Sequence, residues 1–241
     1  MSPYHHLKLI TEQFPNTWKL IDNFRMEKEQ IPDWPEWCLL PKSGWAAIVA
    51  EEYRHSYLSP KQIKEIAILA AVAAWRYNQG IYRFQRDVYP KILRYSLKNK
   101  FNPHLFYRLP EWSIYVKTPQ FIWNNCNLAG FWCYLEWDLK EKIPTLKFLL
   151  NSFKLEVISL PLDKQVLNAL NRPTNKQLIL GGENNYAPLF VMVSLVYFIC
   201  KTSAEIGTRG RHPEKVKPKL FKGSFKLFPV NQPTLWNIDS L

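Results

Sequence analysis

At 241 residues, with 47% apolar and 15% aromatic side chains, the chain has material for a sizeable core, which argues against global disorder. Its 32 Lys+Arg against 20 Asp+Glu leave a net charge of +12, which favours an anionic partner such as nucleic acid, an acidic protein face or a membrane surface. The four cysteines, Cys38, Cys126, Cys133 and Cys200, are scattered without a C-x-x-C pair, so reduced thiols fit better than a disulfide framework or zinc module.

In chain order, apolar residues from Leu7 to Phe24 recur at helical spacing, interrupted at Pro15, with Asn16-Thr17 placed to cap a second piece. IPDWPEWCLLP follows, where three prolines exclude a regular helix and Trp34 and Trp37 cover a core face. A short helix is expected over 44–57. Ser59-Pro60 opens the strongest helix, with Ser as N-cap and Pro at the first position. Its inner stripe runs through Ile63, Ile66, Ala67, Ala70, Ala74 and Tyr77, and Gly80 stands as its stop. A further helix is expected over 83–99, with Lys91, Arg94 and Lys98 on one face.

From Pro110 the period changes to two. WSIYVKT, FIWNNC, GFWCYLEWDL, TLKFLLNS and KLEVISLPL predict an antiparallel meander of four or five strands. Alternation in GFWCYLEWD puts Phe131, Cys133, Leu135 and Trp137 on one face and Trp132, Tyr134, Glu136 and Asp138 on the other. A short helix over 163–171, capped by Asp163, a loop with Gly181-Gly182, and a buried helix over 187–204 complete the fold. The class is α+β: a helical N-terminal half packed on the meander, with a further buried helix. The predicted organisation is one domain over 1–206 and a basic, proline-punctuated C-terminal arm over 207–241. SPYHHLKLI is too short and polar for a signal peptide. The longest apolar run, 187–200, falls short of the ~18–20 residues that a spanning helix needs. A cytoplasmic chain without a membrane partner is expected.

Enzyme signatures are absent: there is no dinucleotide or P-loop glycine pattern, no H-E-x-x-H and no G-x-S-x-G. No catalytic residue, metal ligand or cofactor is assigned. Cys133 or Cys126 with His104 forms a weak nucleophile option, and Glu136 with Asp138 a carboxylate pair that solvation or lysines also explain. Tyr77, Tyr82, Phe84 and Tyr89 among Arg76, Arg83 and Arg86 have the composition of an RNA-stacking surface, or of aromatics facing a core.

Four collinear pieces carry a resemblance: Ala74-Trp75-Arg76 with Gly80-Ile81-Tyr82, then Leu109-Pro110-Glu111-Trp112-Ser113-Ile114-Tyr115-Val116, then Gly130-Phe131-Trp132 with Glu136, and the apolar helix before Glu205. In this order they resemble the type V-A anti-CRISPR proteins that lower production of the CRISPR effector nuclease, over roughly residues 40–210. The resemblance implies a non-enzymatic protein of the bacterial cytoplasm. Its partner would be the nascent N-terminal peptide of the effector, with loss of the translated messenger RNA following and ribosome or RNA as further contacts. It implies a peptide groove lined by Trp75, Arg76, Tyr82, Trp112, Tyr115, Trp132 and Glu136; the rival reading is that these residues pack the helix on the sheet. Longer members of that family carry a further C-terminal segment rich in Arg, His and Trp, and the basic arm over 209–226 would take over part of its role here. The alternative is a basic RNA- or DNA-binding regulator of a mobile element, using Lys91, Arg94, Lys98, Arg209, Arg211, Lys215, Lys217 and Lys219. A nuclease built on Glu136, Asp138 and a histidine is the third reading.

Overall fold

The computed structural model describes residues 2–54, 57–171, 186–203, 205–207 and 210–239. Its N-terminal helices are α1 (Pro3–Gln13), α2 (Thr17–Met26), α3 (Lys42–Tyr53) and α4 (Pro60–Arg76). Local chemistry accounts for their starts. The Ser2 hydroxyl accepts from the His5 amide ahead of α1. Ser59 and Gln62 form a reciprocal capping box ahead of α4, the Gln62 Oε1 accepting from the Ser59 amide at 2.8 Å. The alanines of α4 let it lie close against the sheet, and Ala70 to Ala74 are buried. Ile63, expected on the inner stripe, lies on the outer side and is 57% exposed.

The six-stranded sheet has the order β5-β4-β3-β2-β1-β8. Strands β2 (Ser113–Trp123), β3 (Cys126–Glu136), β4 (Thr145–Leu150) and β5 (Glu156–Pro161) form the expected antiparallel meander. WSIYVKT and FIWNNC are one strand rather than two, its register shifting between Lys117 and Phe121 around Pro119, which has no amide to donate. Asn124 and Asn125, both at positive φ, close the β2–β3 hairpin.

Two strands were hidden. β1 (Gly80–Phe84) occupies residues that read as a turn and a helix start, leaving α5 only Val88–Lys98, with the short α6 (Pro103–Phe106) after it. β8 (Thr234–Ile238), at the end of the basic segment, pairs with β1 in parallel, Ile81 opposite Leu235 and Tyr82 opposite Trp236. The segment beyond 207 therefore supplies an edge strand of the main sheet. Before it, β6 (Lys219–Phe221) and β7 (Ser224–Lys226) make a separate small hairpin.

Both faces of the sheet are covered. Phe131, Cys133 and Leu135 pack with α5 and α8 (Tyr186–Thr202), while Trp132 and Tyr134 pack beneath α1 to α4. The alternation read from β3 is correct, except that the strand ends at Glu136 and Trp137 turns to the Trp132 side, edge-on to Trp37 at 5.7 Å. The Asp163 carboxylate accepts from the Val166 amide at 2.8 Å and starts α7 (Lys164–Asn171), as expected. Gly181-Gly182, His55 and Arg209 lie outside the described residues. Among those described, no helix is long and apolar enough to cross a membrane.

Candidate functional site

The residues expected to line a groove do converge, but in the interior. Trp75 from the end of α4, Tyr115 from β2 and Trp132 from β3 form one aromatic cluster, with ring centroids 4.8 Å apart for Tyr115–Trp132 and 6.4 Å for Trp75–Trp132. Helix α1 closes it. Tyr4 meets Trp75 edge-on at 5.5 Å, and His6 meets Trp132 at 5.4 Å. Polar atoms are tied internally: the Trp75 Nε1 donates to the Gly80 carbonyl at 2.8 Å, and Asn151 joins His6 to the Tyr115 hydroxyl. Trp75 and Trp132 have no exposed surface and Tyr115 has 1%. These three are core, which corrects the open groove.

The remaining members of that set are dispersed. Tyr82 is buried on the opposite face of the sheet. Arg76 stacks over the Trp18 ring at 4.0 Å, and Glu136 pairs with Lys147 at 3.0 Å. Trp112 is 7% exposed, with the Arg25 guanidinium 5.1 Å and the Lys215 ammonium 5.6 Å from its ring.

The acid-base options are also engaged. Asp138 pairs with Lys42 at 3.1 Å, so Glu136 and Asp138 each have their own lysine. Burial raises the Cys133 thiol well above its ordinary value, which disarms it as a nucleophile. Among the described residues, no group of three or more His, Cys, Asp or Glu is placed to hold a metal ion.

The accessible sites lie elsewhere, and Glu111 shapes the first. This carboxylate, 1% exposed, accepts from the Tyr82 hydroxyl at 3.2 Å and from Trp236 Nε1 of β8 at 3.0 Å, both on Oε1. Gly80 packs so close that a Cβ there would overlap the carboxylate, which explains the glycine at the head of β1. The turn into β1 is made instead by Gln79, at φ 50°. Burial pushes the Glu111 carboxyl up to about 7, against the opposing pull of the Trp236 and Tyr82 hydrogen bonds and the Lys215 charge. Lys215 is half-buried and donates to the Leu109 carbonyl. Glu111, Trp112 and Lys215 thereby dock the basic segment onto the sheet.

Above this junction lies a hollow of about 790 Å³ between β8 and the basic segment, lined by the cations Arg211, Lys215, Lys217 and Lys219, by the carboxylates Glu111 and Glu214, and by Thr234 and Trp236 of β8. A second hollow, of about 1080 Å³, lies between α5, the end of β1 and β2, and is lined by Arg94 among other cations. Lys91, Arg94 and Lys98 are all exposed on α5, as their spacing implied. The expected cationic surface is thus divided between two sites. Sequence reasoning missed Glu111 as a junction residue; the available signal was an acid set between Pro110 and Trp112 in an otherwise apolar stretch.

A sequence profile of the AcrVA2-like family, described as the anti-CRISPR type V subtype A2 family, matches residues 82–240. Among solved structures, the chain is similar to one titled "Crystal structure of AcrVA2", with a TM-score of 0.64 and 15% identity over 98% of this chain and 84% of that one. A comparison with curated proteins found no match.

Proposed function

The chain belongs to the AcrVA2-like, type V subtype A2 anti-CRISPR family, and from that premise we propose that it lowers production of a type V-A effector nuclease by capturing the effector's N-terminal segment during translation, with loss of the message following. The observation that carries the peptide step is the free edge of β8, unpaired on its outer side among the described residues and bordering the 790 Å³ hollow. An extended segment adds to such an edge through backbone hydrogen bonds, while the adjoining hollow receives alternate side chains. The cations along the hollow favour a segment that presents carbonyls or acidic side chains. Glu111 acts as a positioning residue, holding β8 through Trp236. The buried Trp75, Tyr115 and Trp132 act only by keeping the sheet in register with α4.

Calorimetric titration with a synthetic peptide of the effector's N-terminal sequence tests this reading. Wild-type protein is expected to bind the peptide and ignore its scrambled version. Lys217→Glu with Lys219→Glu is expected to weaken binding at least about tenfold, or about 1.4 kcal/mol. No association, or equal association with the scrambled peptide, contradicts the reading.

A further inference from the structure

We infer that the hollow between α5, the end of β1 and β2 is a binding site for single-stranded RNA. Its volume is about 1080 Å³, and its rim carries Arg83, Arg86, Arg94 and Lys117 against a single carboxylate, Asp87. That carboxylate is occupied, with the Lys91 ammonium 3.7 Å away. The Arg83 Nε is held by Asn237 Oδ1 at 3.0 Å. The side chains of Arg86, Arg94 and Lys117 are exposed and, among the described residues, have no ion-pair or hydrogen-bond partner. A cationic rim with so little compensation is matched by a polyanion.

The floor supplies the second half of the recognition. Tyr89 stands half-buried between Phe84, 5.5 Å away, and Phe121, 5.8 Å away, with its hydroxyl fixed to the Lys117 carbonyl at 3.0 Å. An aromatic cluster lining the same hollow as these cations accepts unstacked bases while the phosphates follow the rim, an arrangement that tolerates any sequence. Lys98, one turn beyond Arg94 on α5, extends the charged path outward. This site stands independently of the peptide reading.

Fluorescence anisotropy with a labelled oligouridylate, read across a salt series, tests it. Four phosphate contacts on a single strand predict a slope of log K against log salt of about −3. Arg86→Glu with Arg94→Glu is expected to lower affinity at least tenfold and to reduce the slope by about 1.4. Tyr89→Leu should weaken binding about fivefold while leaving the slope unchanged, because it removes stacking and no charge. The substituted arginines are exposed, and an unchanged melting temperature verifies the fold. The inference is overturned if RNA does not bind or if the double arginine variant binds like wild type. It is equally overturned if affinity is lost only in Lys217→Glu with Lys219→Glu, or if an oligo-glutamate peptide competes as well as RNA does.

Discussion

Trp132→Ala is expected to lower the unfolding free energy by about 3–5 kcal/mol in urea denaturation, a large fraction of what a domain of this size has. The indole has no exposed surface and contacts Trp75, Tyr115 and His6, so truncation leaves a cavity shared by β2, β3, α1 and α4. Those elements come from distant parts of the chain, and collapse around the void would have to move the sheet against two helices. Trp132→Phe should cost much less. It keeps a ring in the site and deletes a buried Nε1 that has no hydrogen-bond partner among the described residues. A groove-lining tryptophan would behave in the opposite way, with binding lost and stability kept. A Trp132→Ala protein within about 0.5 kcal/mol of wild type would contradict the packed cluster.

The second large effect concerns pH. The Glu111 carboxyl, ordinarily near 4.5, is pushed up to about 7 by burial in the folded protein. A raised carboxyl means that the folded state holds its proton where the unfolded state has released it. The associated stability is therefore fully present below about pH 4.5 and is lost as pH rises through about 7, to a total of about 3 kcal/mol. The groups facing Glu111 are Tyr82, Trp236, the Gly80 backbone and Lys215; their hydrogen bonds and the Lys215 charge all favour the ionised form, and burial outweighs them. Asp138, whose carboxyl is held low by hydrogen bonds from the Lys140 amide and the Lys42 side chain, contributes in the opposite sense at acid pH. Glu111→Gln isolates the effect because it keeps an oxygen for Tyr82 and Trp236 but cannot ionise. Melting temperatures of the two proteins between pH 4.5 and 8 should diverge, wild type falling relative to the variant. Parallel curves would remove the buried carboxyl from the account.

How much the sequence revealed follows from how local each signal is. The Ser59 cap with Pro60, the Asp163 cap and the alternation in Phe131 to Glu136 each depend on neighbours a few residues apart, and all are found in the structure. The pairing of Gly80–Phe84 with Thr234–Ile238 joins segments more than 150 residues apart. A five-residue strand carries too few alternations to separate itself from a turn and a helix start. Gly80 was visible, but its reason, the carboxylate of Glu111 pressed against it, was not. The clearest lesson is Trp75, Tyr115 and Trp132. Their convergence was what the family resemblance implied, whereas their burial depends on α1 lying across them, and nothing in those segments encodes that. An aromatic residue suits a ligand groove and a core equally well. The cations were easier to place, because a charged side chain without a partner has only the surface available to it.

The central claim is that the protein acts on an effector through the peptide that the message encodes. The most direct measurement is the effector messenger RNA level in cells producing this protein, for two versions of the effector gene. One has its natural opening codons; the other has the same opening stretch shifted out of frame and then restored, so that nearly identical nucleotides encode a different peptide. The account predicts loss of the first message and survival of the second. Equal loss of both, or loss of neither, would contradict it.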